Sequence, residues 1–165
     1  MPHLPGHTDS YPWVPDPQWP PLQPYWSGLA AGRLRFPRCS RCKNYQWYPE
    51  PTCDTCGNDN FEWIAVPPRA QIYSFTILRR SFLPDFKIPT FIILAEIEGI
   101  PNVRLLTNAI DCDECDLRIG ARVELVRKRV ADSVYLPFAR LMRSEIAPGA
   151  TDGLEVVCVD RPPVA

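Results

Sequence analysis

The stretch RCSRCKNYQWYPEPTCDTCGNDNFEW, Arg38 to Trp63, decides the fold. It contains two CxxC pairs, Cys39/Cys42 and Cys53/Cys56, separated by the ten residues Lys43 to Thr52. Each CxxC forms a tight knuckle that aims two thiolates at one point, and four thiolates complete a closed tetrahedron around a metal ion. The spacing predicts a zinc ribbon with Cys39, Cys42, Cys53 and Cys56 as the ligands of one structural zinc. An iron site uses similar knuckles, and spacing does not separate the two metals. A closed shell has no position for water or substrate, so the expected work of the metal is to fold a segment too small for a core of its own. Gly57 suits the turn of the second knuckle, and Tyr45, Trp47, Tyr48, Phe61 and Trp63 give a small sheet something to pack.

Upstream of the cysteines, residues 1–24 contain eight prolines interleaved with Tyr11, Trp13 and Trp19, which predicts an extended arm with neither a helix nor a paired strand running through it. Aromatic side chains gain much by burial, so Trp13 and Trp19, with Tyr25 and Trp26 beside them, are candidate contacts to a partner. In QPYWSGLAAGRLRF, Tyr25, Trp26, Leu29 and Ala30 fall on one helical face and Gly32 stands where a helix stops. Residues 25–37 should therefore be a short helix and a lead-in strand, followed by the ribbon over 38–66.

The Pro67–Pro68 pair marks a boundary, and the pattern beyond it turns to β. Five runs rich in β-branched and aromatic residues follow: Gln71 to Leu78, Phe91 to Glu98, Val103 to Ile110, Ala121 to Val130 and Ser133 to Arg140. Five short strands in this span predict a small five-stranded OB-fold barrel over 67–141. Residues 142–165 form an extension in which LEVVCV, Leu154 to Val159, would add a strand. The fold class is mainly β: arm and short helix, rubredoxin-like zinc ribbon, then barrel.

Composition narrows the function. Of 165 residues, 45% are apolar and 22% charged, as expected of a globular chain, and no apolar run is long enough to cross a bilayer. The N-terminus has neither the basic start nor the apolar centre of a secretory signal, so the expected location is cytoplasmic. In that reducing compartment seven cysteines serve metal binding or packing rather than disulfides. Cys112 and Cys115 in DCDECD form a lone CxxC crowded by acids, which raise a thiol pKa; the reading is an acidic loop rather than a redox or second metal site, and Cys158 reads as a buried apolar residue.

Both histidines, His3 and His7, sit in the proline arm, a poor place to hold a base, and no Gly-rich phosphate loop is present. The carboxylates Asp85, Glu96 and Glu98 carry no catalytic spacing. Arg33, Arg35, Arg38, Arg41 and Lys43 lie within eleven positions free of acid, and Arg127, Lys128 and Arg129 form a second group. Such cations suit phosphate, on nucleic acid or on coenzyme A, or simply solvent. A net charge of -1 argues against nucleic acid.

The order YWSGLAAGRLRFPRCSRC, PTCDTCG, FEW, AQIYSFTILRR, FIILAEIE, LRIGARVEL and LPFAR, from Tyr25 to Arg140, resembles a bacterial and archaeal family of zinc-ribbon and OB-fold proteins once classed as a domain of unknown function. The resemblance implies partnership with thiolase-like enzymes: acetoacetyl-CoA thiolases, hydroxymethylglutaryl-CoA synthases, phloroglucinol acetyltransferases and the lipid-transfer-protein-type aldolases that shorten steroid side chains. Family members supply no catalytic residue; they dock on the enzyme and shape its CoA-thioester channel. By position, Cys39, Cys42, Cys53 and Cys56 hold the zinc; Arg33, Arg35, Arg38, Arg41 and Lys43 remain, by their charge, the candidates for CoA phosphates. The segment Tyr48-Pro49-Glu50-Pro51 replaces the family's frequent Pro-Pro-Arg. The function so implied is a non-catalytic accessory subunit of a thiolase-like aldolase or acyltransferase acting on acyl-CoA, in a two-plus-two assembly about the twofold axis of the enzyme. A single-stranded nucleic-acid module or a freestanding acyl-CoA-binding module are the alternatives.

Overall fold

The computed structural model describes residues 15–80, 88–100 and 102–142. Trp13, His3, His7, Asp85, Cys158 and the Leu154 to Val159 run lie outside the described residues.

Helical structure begins inside the proline arm rather than after it. Pro20–Leu22 form a 3-10 turn that runs into helix α1, Gln23–Ala30. Proline is no obstacle there, because the first turn of a helix does not use its backbone N–H groups. Leu22 of the 3-10 turn and Tyr25, Gly28 and Leu29 of α1 are buried, while Ala30 turns outward. Gly32 ends the segment with φ at 77° and donates its N–H to the Leu29 carbonyl at 3.0 Å.

Strands β1, Leu34–Cys39, and β2, Phe61–Val66, pair antiparallel from Leu34↔Val66 to Cys39↔Phe61. The lead-in strand expected before residue 38 is thus half of the ribbon's own sheet. Phe36 has no exposed surface; its ring lies 5.0 Å from Trp47, and Tyr25 sits 4.8 Å from the same indole. This aromatic cluster joins helix, ribbon and barrel in one core.

The remaining strands are β3 (Arg69–Leu78), β4 (Thr90–Ile97), β5 (Arg104–Ile110), β6 (Arg122–Ala131) and β7 (Val134–Leu141). They close a barrel in the order β3-β4-β5-β7-β6, the OB-fold topology. Period-two alternation sends Ile72, Ile93, Ala95, Val123 and Ala139 inward, each at 0% exposure. A register shift between Ile72 and Ser74 bends β3, which pairs with β4 along most of its length and with β6 over Arg69–Gln71.

The parallel β5–β7 pair is short, from Asn108↔Phe138 to Ile110↔Arg140. Before it the two strands part, and the Thr107 hydroxyl donates to the Pro137 carbonyl at 2.7 Å. Helix α1 packs on both β1 and β7.

Candidate metal centre

The two knuckles repeat one backbone design. Cys39 N–H donates to Asn44 O at 2.8 Å and Lys43 N–H to Cys39 O at 3.0 Å; Cys53 N–H donates to Asn58 O at 2.7 Å and Gly57 N–H to Cys53 O at 2.8 Å. Lys43 and Gly57, each directly after the second cysteine of its pair, share the left-handed conformation with φ of 61° and 69°. Glycine at position 57 signalled this turn in the sequence; lysine at position 43 concealed its equivalent.

The knuckles bring Cys39, Cys42, Cys53 and Cys56 together with all four sulfurs within 4.8 Å of one another. Two of the separations, Cys39 to Cys56 and Cys42 to Cys53, are 3.6 Å. Four thiolates at tetrahedral zinc distances stand about 3.8 Å apart, so the donor set fits one structural zinc. Without metal the cluster titrates unevenly. Burial raises the Cys39 thiol, but N–H groups of Cys42 and Arg41 and the neighbouring thiols outweigh it and hold it down at about 6. Cys42 receives the Asn44 backbone N–H, which lowers its pKa, yet desolvation and the surrounding sulfurs push it up to about 12.

Asn58 and Gln46 brace the knuckles, and no sequence pattern marked either. The Asn58 amide donates toward Cys39 Sγ at 3.6 Å, to Ser40 Oγ at 3.2 Å and to Asn60 O at 2.8 Å. Gln46, only 6% exposed, accepts from Asp54 N–H at 2.9 Å and donates to Thr52 O at 3.2 Å, tying the intervening loop to the second knuckle. Gln46→Ala leaves those two backbone groups without their partner and should lower stability by about 1–3 kcal/mol. Zinc transfer to a chromogenic chelator should be faster in that variant than in the wild type.

The basic run does not form one surface. Arg35 and Arg38, three apart on β1, point to opposite sides of the sheet, and the Arg35 stem packs over Gly28. Arg38 donates to Glu62 at 2.9 Å and Lys43 approaches the other Glu62 oxygen at 3.8 Å. These cations hold the Glu62 carboxyl below its ordinary range, the Arg38 hydrogen bond first among the causes. Arg33 and Arg41 are exposed. In the second group Arg129 pairs with Asp132, and Arg127 reaches across to α1. Among the nominated aromatic contacts, Tyr25 is buried in the core, where helix spacing places it beside Phe36; Trp26 is half-buried and Trp19 half-exposed.

Cys112 precedes and Cys115 lies within a 3-10 turn, Glu114–Asp116, which Asp113 and Asp116 close with a capping box. The acids have a structural use there, and Arg140 and Arg79 pair with Asp111 and Glu114. Burial, then Asp116, Asp113 and Asp111, push the Cys112 thiol up, which opposes thiolate chemistry at neutral pH. Glu96 is tied to Gln71 at 2.9 Å and to Arg104 at 3.3 Å.

Between the ribbon side and the barrel runs a groove of about 170 Å³, with Tyr25, Trp26, Trp47 and Tyr48 on one wall and Leu105–Asn108 and Leu136–Phe138 on the other. Tyr48 stacks on Trp47 with ring centroids 4.6 Å apart, and Tyr48 and Leu106 at the rim are 55% and 60% exposed. No helix among the described residues is long and apolar enough to cross a membrane.

A closed four-thiolate ribbon that leads through Pro67–Pro68 into a five-stranded barrel, with one helix packed against both, defines the class: a zinc-ribbon and OB-fold protein. Residues 26–62 match the family model for the ChsH2 rubredoxin-like zinc ribbon domain, and residues 63–128 match that for the ChsH2 C-terminal OB-fold domain. The chain belongs to this two-domain ChsH2 family. The Ltp2-ChsH2(DUF35) aldolase aligns with a TM-score of 0.67 and 25% identity, over 73% of this chain and 93% of that one. A DUF35-family protein of unknown function from Sulfolobus solfataricus shares the fold, with a TM-score of 0.55 and 18% identity over 75% of this chain and 87% of that one. A probable enoyl-CoA hydratase alpha subunit from Thermomonospora curvata is 29% identical over 118 residues. The match covers 70% of this chain and 36% of that relative.

Proposed function

We propose that the protein is a non-catalytic accessory subunit of a thiolase-like aldolase or acyltransferase acting on acyl-CoA in the cytoplasm, with steroid side-chain aldol cleavage as its setting. The observation that carries this reading is the likeness across both domains to the chain in the Ltp2-ChsH2(DUF35) aldolase, 93% of which is covered. The closed thiolate shell is consistent with it, because a metal with no open position supports a fold rather than a reaction. The zinc ribbon and barrel form one platform on the enzyme, in a two-plus-two assembly, and the exposed Arg33 and Arg41 are the members of the basic run left to meet CoA phosphates.

Affinity purification of the full chain from its host at moderate salt, followed by mass spectrometry, tests the proposal. The expected result is a thiolase-like enzyme in near-equal amount, whose cleavage of a CoA thioester depends on the added subunit. Recovery of nucleic acid with a steep salt dependence would overturn it in favour of a nucleic-acid module. Turnover of acyl-CoA by the isolated chain would overturn it in favour of an enzyme.

A further inference from the structure

Arg127 belongs to a basic run that suggests phosphate binding, yet from its exposed position on the barrel it reaches to a helix nearly a hundred positions earlier. From β6, its Nη1 donates to the carbonyl oxygen of Leu29 at 2.8 Å and to that of Ala30. The last carbonyls of a helix have no partners inside it and carry the negative end of its dipole. Helix α1 has no basic residue of its own in its last turn, so the cation comes from the barrel.

Two further features shape this contact. The guanidinium lies over the Tyr135 ring, 4.8 Å from its centroid, which gives the cation a second hold on the barrel. Gly32, just past the helix, has a φ of 77°, and a β-carbon added there would stand 3.5 Å from Arg127 Cζ. A bare backbone thus lies against the charged group.

Helix α1 packs on β1 of the ribbon as well as on β7 of the barrel. Whatever fixes the end of α1 to β6 therefore fixes the ribbon to the barrel. The groove of about 170 Å³ takes one wall from each side of this junction, so its width follows from their relative placement.

We propose that Arg127 is a positioning residue that pins the ribbon and its helix to the barrel and thereby sets the shape of the groove between them. The role requires a planar fork that stacks on Tyr135 while bridging two carbonyls; a lysine ammonium offers a point charge and no plane to stack.

The test uses the zinc-loaded full chain and residual dipolar couplings of backbone amides, which report the relative orientation of the two parts. In the wild type one alignment tensor should fit both ribbon and barrel. In Arg127→Met, zinc should remain at one per chain and each part should keep its own pattern of couplings, but the two should require separate tensors. Arg127→Lys should fail to restore the single tensor. If Arg127→Met does not fold, Tyr135→Leu, which removes only the ring beneath the guanidinium, should give separate tensors with zinc retained. A single unchanged tensor in Arg127→Met, or in Tyr135→Leu where that variant stands in for it, would overturn the proposal.

Discussion

Cys39→Ser should empty the metal site and unfold the ribbon while the barrel persists. Cys39 has no exposed surface, ends β1, and lies 3.6 Å from Cys56 Sγ with Asn58 donating to its sulfur. Structural zinc contributes on the order of 10–16 kcal/mol to the folding of small ribbon-like segments near neutral pH, and a hydroxyl is a poor replacement for a thiolate in such a shell. Metal analysis should show zinc falling from about one per chain to near zero. Hydrogen exchange should show amides of β1 and β2 losing protection while those of β3 to β7 keep it. Strong chelation of the wild type should reproduce both changes, and so should acid. Metal-bound thiolates titrate below free thiols, so their contribution is present at neutral pH and lost as the pH falls. Full zinc occupancy in Cys39→Ser would remove Cys39 from the ligand set.

Phe36→Ala should be the most damaging change that leaves the ligands untouched. Phe36 is fully buried, within 6.2 Å of Tyr25 and 5.0 Å of Trp47 by ring centroids, and belongs to the core shared by helix, ribbon and barrel. Emptying such a site costs about 3–5 kcal/mol, combining lost transfer free energy with the cavity left behind. The urea midpoint should fall accordingly, with zinc content unchanged at low denaturant. A loss below about 1 kcal/mol would show that the aromatic cluster closes over the gap and that the junction is softer than its burial implies.

The cysteine spacing and the five β runs were open to sequence reading because each is a local signal: a knuckle is four residues long, and a barrel strand announces itself by alternation. The strand limits found differ from those read by a residue or two, for example β3 from Arg69 instead of Gln71. What escaped was set by partners distant in sequence or by backbone without a telltale residue. Lys43 adopts the conformation that Gly57 advertised, and Gln46 matters because Thr52 and Asp54 lie against its amide. Runs of one charge were the weakest guide. Glu62, absent from the basic run itself, takes up Arg38 and Lys43 once β1 and β2 pair. Tyr25 read as a candidate contact because an aromatic near a proline arm carries no sign of which way it faces.

The order in which the barrel closes has a consequence for synthesis. All four thiolates lie between Cys39 and Cys56, so the metal can be gathered as soon as that short span exists. Its sheet, from Leu34 to Val66, is complete before any barrel strand has emerged. The barrel is non-local: the first strand waits for β6 at Arg69↔Glu124, and β5 waits for β7 at Asn108↔Phe138. Loop closure over such separations slows folding, since its entropy is lost before the contacts form. A chain growing from its N-terminus thus carries a finished ribbon beside an unclosed barrel for much of its assembly. Zinc supply governs the early event, and β7, not the metal, governs when the barrel closes.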